Sequence, residues 1–270
     1  MSIRTYIVDS FTDKPFQGNP AGVCLVDADL SDPAMLRIAQ ELNQAETAFV
    51  RALEQPGRFS IRFFSPKKEI ALCGHATLAS ARIAFKVLGL EESHFINIEG
   101  LDLATRTTAD SVTMSFPAYQ TVPAEAPPAL LAALGLKAVK NAVYNKETTI
   151  LLLEIEDPAE LAALSPDFTA LLRSYSGING VLVTAPSRTA LHDFHSRYFW
   201  PWSGTNEDWA TGGTHTFLTG YWAERLGKTR LKSFQASART GSMDVELSDG
   251  RVIITSQANI VLEGVLHDHG

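Results

Sequence analysis

The sequence predicts an α+β fold made of two similar halves, each with strands wrapped around one long helix. Three observations carry this. Strand-like segments outnumber helical ones in both halves, and they do not alternate with helices as a doubly wound parallel sheet requires. The stretches 74–89 and 212–227 share one plan: a glycine opens a helical pattern and Leu-Gly closes it, 15 residues on in each case. The two lie 138 residues apart in a chain of 270, and self-similarity at about half the length points to a duplicated unit.

In the first helix, Leu78, Ala81, Phe85 and Leu88 recur at helical spacing, and Gly89 stands where a left-handed C-cap is wanted. The elements before it follow in order. Residues 3–9 are β-branched and alternating, a strand. Residues 11–20 are rich in turn formers, and 21–26 form a buried strand. Ser31 caps a helix with Pro33 in its first turn and Met35, Leu36, Ala39 and Leu42 on one face. Strands are expected at 46–50, 58–64, 95–98, 101–107 and 111–116. Four prolines between 117 and 128 mark a linker, so the expected domains are 1–117 and 129–270 with the linker at 118–128. The final strands are free to pack across that boundary. The second half is expected to hold short helices at 130–134, 158–164 and 167–173. Its strands are expected at 148–155, 180–184, 193–199, 244–247, 252–256 and 260–265.

Composition narrows the function. Hydrophobic residues at 45% and charged residues at 20% suit a globular chain with a real core. A net charge of −7 argues against a nucleic-acid surface. No apolar run approaches membrane-spanning length, and the N-terminus enters a strand pattern without a signal-peptide core, so a cytoplasmic protein without a membrane partner is expected. Two cysteines, Cys24 and Cys73, make no disulfide framework. Dinucleotide and Walker-type glycine signatures are missing, and no nucleophile elbow is present.

Four places can carry chemistry. Glu46 opens a short apolar strand. It reads either as an exposed strand-end charge or as a half-buried carboxylate suited to proton transfer. His75 follows Gly74 at a helix N-terminus. It is either a capping residue or a neutral hydrogen-bond donor, since the helix dipole disfavours imidazolium there. Asp208, just before the second helix, is either a turn residue or a group that orients a substrate. The backbone N–H groups of Gly74, Gly212, Gly213 and Thr214 are candidate carboxylate binders. Cys73 is placed where a thiol pKa falls, but the second copy has Thr211 there, so no two-thiol mechanism is available. No metal site is expected. His192 and His195, three apart on a strand, should face opposite ways, and the tail residues His267, Asp268 and His269 read as solvated.

Taken together these motifs resemble the phenazine-biosynthesis PhzF-like family, with its diaminopimelate-epimerase-like fold. The resemblance runs nearly the whole length. It is carried by Gly18-Asn19-Pro20, by Ala45-Glu46-Thr47-Ala48-Phe49 and by Gly74-His75-Ala76-Thr77. In the second half it is carried by Arg197-Tyr198-Phe199 with Glu207-Asp208 and Thr211-Gly212, and by Gln235-Ala236-Ser237 with Arg239 and Gly241. It implies two pseudo-symmetric domains, each a curved, mostly antiparallel sheet around a central helix, with the active site in a cleft between them. It implies cofactor-free isomerisation of a small carboxylate-bearing substrate, and a homodimer. Glu46 would be the general acid/base, and His75 and Asp208 would hold the substrate. The family's namesake isomerises a dihydro-hydroxyanthranilate. Trp209 stands where the family usually has Pro, Gly213 where it has Ser, and Ser256 where it often has Gly. The first two departures imply a changed substrate. Two rival readings are an amino-acid epimerase using Cys73 and a non-catalytic binding protein on the same scaffold.

Overall fold

The structure is a computed structural model that describes residues 2–267. The chain forms two compact units, residues 2–115 with 253–267 and residues 116–252. In the first unit, β1 (Ser2–Ser10) and β2 (Asn19–Leu25) are antiparallel. Helix α1 (Asp32–Leu42) crosses to β3 (Glu46–Ala52), which runs parallel to β2. β4 (Arg58–Phe64) is antiparallel to β3 and to the short β5 (Glu69–Ile70). Helix α2 (Gly74–Leu88) then crosses to β6 (Glu92–Ile96), parallel to β4. β7 (Asp102–Thr107) and β8 (Val112–Pro117) follow as an antiparallel meander.

The second unit begins with β9 (Val122–Pro123) and α3 (Pro128–Leu134). It then repeats the same grammar. β10 (Asn141–Asn145) and β11 (Ile150–Glu154) are antiparallel. Helices α4 (Pro158–Ala163) and α5 (Phe168–Ser174) cross to β12 (Gly180–Pro186), parallel to β11. β13 (Phe194–Trp200) is antiparallel to β12 and to β14 (Thr205–Asp208). Helix α6 (His215–Leu226) crosses to β15 (Arg230–Gln235), parallel to β13, with β16 (Gly241–Ser248) antiparallel beside it. After β17 (Arg251–Ser256), β18 (Ala258–His267) belongs to the first unit and pairs along β1 from Ser2 to Ser10. Parallel neighbours need a crossover element, so α1 and α2 in the first unit, and α4 with α5 and then α6 in the second, sit at the parallel steps, while α3 joins the antiparallel β9 and β10.

The expected duplication is thus a duplication of strand pairing with two helical crossovers in each unit. Ser31 caps α1 by accepting from Ala34 N, and Gly89 and Gly227 end α2 and α6 in the left-handed conformation at φ 72° and 64°. Helix α2 is buried on nearly every side from His75 to Ala84. Its last turn departs from expectation: Leu88 is exposed. No helix among the described residues is long and apolar enough to cross a membrane.

Other expectations needed correction. The segment 118–128 is not a free linker, since Val122 and Pro123 pair with Tyr144 and Val143 on β10, and α3 starts at Pro128. Residues 253–267 group with the first unit, where β18 pairs along β1, in line with the allowance that the final strands pack across the boundary. Strands β5, β9, β10, β14 and β15 were not anticipated, being short or polar on their outer face. Helix α6 starts at His215, three residues after Gly212.

Gly180 reports on the register of β12 against β13. A Cβ there would lie 2.6 Å from the Tyr198 ring and 2.8 Å from the Phe199 carbonyl oxygen. Gly180→Ala is expected to lower stability by about 1–3 kcal/mol. Urea unfolding should show a lower midpoint at unchanged slope, and an unchanged midpoint would contradict this register.

Candidate active site

In the first unit, β1, β2 and β3 present their ends to the first turn of α2. Glu46 is the first residue of β3, paired with Ala21 of the parallel β2, and it is buried. His75 is the second residue of α2 and is equally buried. Ser10, the last residue of β1, donates its hydroxyl to the His75 carbonyl at 2.8 Å. Asn19, the first residue of β2, brings Nδ2 to 3.4 Å from His75 Nδ1. Gly18 makes that approach possible. It sits at φ +68°, and a Cβ there would lie 2.1 Å from the Ser10 carbonyl oxygen. The Gly18-Asn19-Pro20 motif is therefore a backbone device that seats Asn19 beside the histidine.

Glu46 Oε2 lies 3.2 Å from His75 Nε2, so the imidazole donates to the carboxylate. Cys73 Sγ lies 3.4 Å from His75 Nδ1 and 3.8 Å from Nε2. Three proton-exchanging groups thus share one buried corner. Burial pushes the Cys73 thiol up despite the neighbouring imidazole. The expectation of a lowered thiol pKa fails because the sulfur is out of water, which costs the thiolate more than the helix terminus returns. For His75, burial pulls the pKa down, but the Cys73 sulfur and the Glu46 carboxylate outweigh it, and the value lies well above the ordinary histidine range. The raised His75 pKa runs against the neutral histidine expected from the helix dipole: the Cys73 sulfur, and after it the Glu46 carboxylate, both touch the ring and favour its charged form. Gly74 supplies the first residue of the helix and is half-buried.

In the second unit, Asp208 ends β14 and is largely buried. Its Oδ2 accepts from Thr211 Oγ1 at 2.6 Å. Gln235 was named in a motif but not as a site residue, and it fastens this turn: its amide donates to the Asp208 carbonyl at 2.8 Å and accepts from Thr211 N at 2.8 Å. Ser237 adds a bond to the Trp209 carbonyl. Gly212, Gly213 and Thr214 lie ahead of the first turn of α6. Thr214 bonds the Thr211 carbonyl at 3.0 Å. Gly213 is exposed with open space around its missing Cβ, so a side chain would fit there. The structure thus groups Glu46, Gly74 and His75 in one unit and Asp208, Gly212, Gly213 and Thr214 in the other.

Two further residues hold this second group, and sequence reasoning assigned neither a role. His215 is fully buried. Its Nδ1 donates to the Thr211 carbonyl at 2.9 Å, so Nε2 accepts from Ser233 Oγ at 2.7 Å. Burial brings its pKa down to about 4, and it is a neutral structural histidine. Arg197 grips Glu207 through two bonds of 2.7 and 2.8 Å. Its remaining nitrogen caps the end of α4 at the carbonyls of Leu161, Ala162 and Leu164. That places Glu207, and with it the neighbouring Asp208, at a fixed point.

Not every buried acid is a candidate. Glu154 on β11 takes bonds from the Tyr221 hydroxyl and from Arg225 Nε at 2.9 Å, with Lys140 Nζ at 3.3 Å. Against the upward pull of burial these donors lower its pKa. It is a fixed anion, whereas Glu46 sits among groups that exchange protons. His192 and His195 are not opposed as expected. β13 starts only at Phe194, so His192 precedes the strand, and both rings lie against Phe234, edge to face with each other at a centroid distance of 5.8 Å. Of the tail residues, Asp268 and His269 lie outside the described residues.

Comparison with known proteins decides the family. The model of the phenazine biosynthesis-like protein family matches residues 8–264. The chain belongs to this family. It is 41% identical to an "uncharacterized isomerase" of Pseudomonas aeruginosa, over 99% of this chain and 100% of that one. A crystal structure of a PhzF-family phenazine biosynthesis protein from Enterococcus faecalis superposes with a TM-score of 0.91 at 35% identity, covering 99% of this chain and 100% of that chain. A probable proline racemase from Agrobacterium radiobacter has the same fold at 11% identity, with a TM-score of 0.62 over 98% of this chain and 92% of that one. The expected fold class and family therefore hold.

Two measurements test this electrostatic account. Arg197→Leu strands Glu207 and three carbonyls, so a loss of about 3–5 kcal/mol is expected. The Arg197→Leu/Glu207→Leu pair should recover part of it in denaturant unfolding. The raised pKa of His75 means that its stabilising contribution is whole below about pH 6.5 and is lost as pH climbs through the folded-state value. Stability of the wild type relative to His75→Gln should therefore fall from pH 6.5 upward, and a flat difference would show that His75 is neutral.

Proposed function

We propose that this protein is a cofactor-independent isomerase of a small carboxylate-bearing metabolite, with Glu46 as its single general acid/base. One observation carries the reading: a buried carboxylate at a strand end, 3.2 Å from a histidine at a helix N-terminus. The isomerase named among its relatives supports the same class. Glu46, beside His75, takes a proton from a carbon made acidic by conjugation or an adjacent carbonyl, leaving a delocalised carbanion. The carboxylic acid so formed returns the proton to a second carbon on the same face, and the double bond shifts between them. Both carbons must come within hydrogen-bond reach of the one carboxylate, roughly 2.6–3.2 Å. His75, a donor with a raised pKa, opposes the charge that builds up. His75, Asp208 and the N–H groups of Gly74, Gly212, Gly213 and Thr214 are proposed to hold the substrate, the latter through its carboxylate. The side chain at Trp209 and the missing one at Gly213 are proposed to set a substrate different from that of the family's namesake. A homodimer is proposed as the working form.

The epimerase reading finds no support in Cys73, whose thiol is buried and pushed up in pKa.

The test is exchange in D2O, with a panel of carboxylate metabolites that includes the namesake's dihydro-hydroxyanthranilate. The wild type should place deuterium on the product carbon. Glu46→Gln should slow this by about 10²–10⁴-fold, while Asp208→Asn should act mainly on KM. Full activity in Glu46→Gln would refute the assignment.

A further inference from the structure

We propose that Tyr198 is a further substrate-positioning residue, whose phenol O–H donates to an oxygen substituent of the substrate while Asp208 accepts that substituent's proton, so that the pair selects a hydroxyl there over an amine. The proposal rests on the reading of Asp208 as a substrate-holding group, and not on the proton chemistry given to Glu46.

Strand register brings the two side chains together. Tyr198 on β13 is the direct cross-strand partner of Asp208 on β14, and such partners stand on one face of a sheet with Cβ atoms about 4.5–5.5 Å apart. Helix α6 covers the same face. Phe194 alternates onto the same side of β13 as Tyr198, and it stacks on Trp222 and lies 6.2 Å from the His215 ring. Two neighbours fix the phenol. A Cβ at Gly180 would lie 2.6 Å from Tyr198 Cε2 and 2.7 Å from its hydroxyl oxygen, so glycine is what leaves room for the ring. Trp200, next on the same face, holds its ring 5.7 Å from that of Tyr198.

The hydroxyl so placed has no partner of its own. Tyr198 is 3% exposed, yet its phenol oxygen makes no hydrogen bond among the described residues. Tyr221, the other buried tyrosine of this unit, shows the usual arrangement: its hydroxyl donates to Glu154 and accepts from Asn141 Nδ2 at 3.0 Å. Tyr198 also faces a carboxylate but does not bond it, and Asp208 Oδ2 accepts from Thr211 Oγ1 at 2.6 Å instead. Burial, and after it the Asp208 charge, hold the phenol pKa up, so the group stays a neutral donor. A buried donor without an acceptor is costly, and a ligand oxygen set between Tyr198 and Asp208 removes that cost. The same oxygen must carry a proton, because a carbonyl or ether oxygen would turn its lone pairs on the carboxylate. A hydroxyl meets both demands. An amine gives protons to Asp208 but offers no ready lone pair, and the phenol proton would stay unpaired.

Calorimetric titration with benzoate, the three hydroxybenzoates and the three aminobenzoates reads the pair without turnover. At least one hydroxybenzoate should bind the wild type roughly 3–10-fold more tightly than benzoate and than its amino counterpart. Tyr198→Phe keeps the ring and removes only the hydroxyl. It should erase that advantage and leave benzoate binding as it was, with circular dichroism confirming an intact fold. Equal binding of benzoate and every hydroxybenzoate, or no binding of any hydroxybenzoate, overturns the proposal. So does a hydroxyl advantage that survives Tyr198→Phe, which would mean that water or another residue reads the hydroxyl. Deuterium exchange in D2O without any hydroxyl preference in binding would remove the role of Tyr198 and leave the isomerase reading standing. A hydroxyl advantage lost in Tyr198→Phe, with no exchange on any substrate of the panel, would remove the isomerase reading and leave the Tyr198–Asp208 pair standing.

Discussion

The burial of α2 on nearly all its sides is the constraint on which the rest of the first unit depends. A helix can be enclosed that closely by strands only if its side chains are small. Ala76, Ala79, Ala81 and Ala84 meet that need, with Leu78 and Ile83 filling the gaps between them. The two hydroxyls in the same stretch turn inward on the helix itself: Thr77 bonds the Cys73 carbonyl and Ser80 the Ala76 carbonyl. The helix is therefore rigidly placed, and its first turn arrives at the ends of β1, β2 and β3 at a fixed depth. His75 meets Glu46 because of that depth.

The second unit reaches a comparable result by other means. Trp222 and Phe217 fill the space around α6, and Trp222 stacks on Phe194 with centroids 5.6 Å apart. Its polar group is held by charge rather than by close packing. The Arg197–Glu207 pair fixes β14 against the end of α4, and Gln235 closes the turn that carries Asp208. Duplication of the strand grammar did not preserve the chemistry at the helix start. One unit ends with an acid, an imidazole and a thiol in contact, and the other with a fastened aspartate and a neutral, buried histidine.

The proton chemistry follows from what surrounds each carboxylate. Glu154 and Glu46 are both buried, and neither sequence context distinguishes them. Glu154 is met by an arginine, a lysine and a tyrosine, all of which hold their protons near neutrality, so it stays an anion. Glu46 is met by the imidazole of His75, a group that can exchange a proton, with the Cys73 thiol beside it.

Much of the frame was legible in the sequence. Glycine at the helix ends, the Ser31 cap and the 138-residue repeat are local signals, set by backbone conformation and hydrophobic spacing. Glu46, His75 and Asp208 were legible as candidates through ordered motifs. What the sequence could not show was contact. Residues 46 and 75 meet because a parallel strand pair and a buried helix bring them together, which no local pattern encodes. The same holds for the ionisation states. A helix terminus alone argues for a neutral histidine and a reactive thiol. Burial reverses the second, and the sulfur and carboxylate that touch the ring reverse the first, because Coulomb and desolvation energies depend on what lies nearby in space. The sequence by itself determined the elements, their repeat and the residues able to react. Only the tertiary structure decided which of them touch, and hence which of them hold their protons.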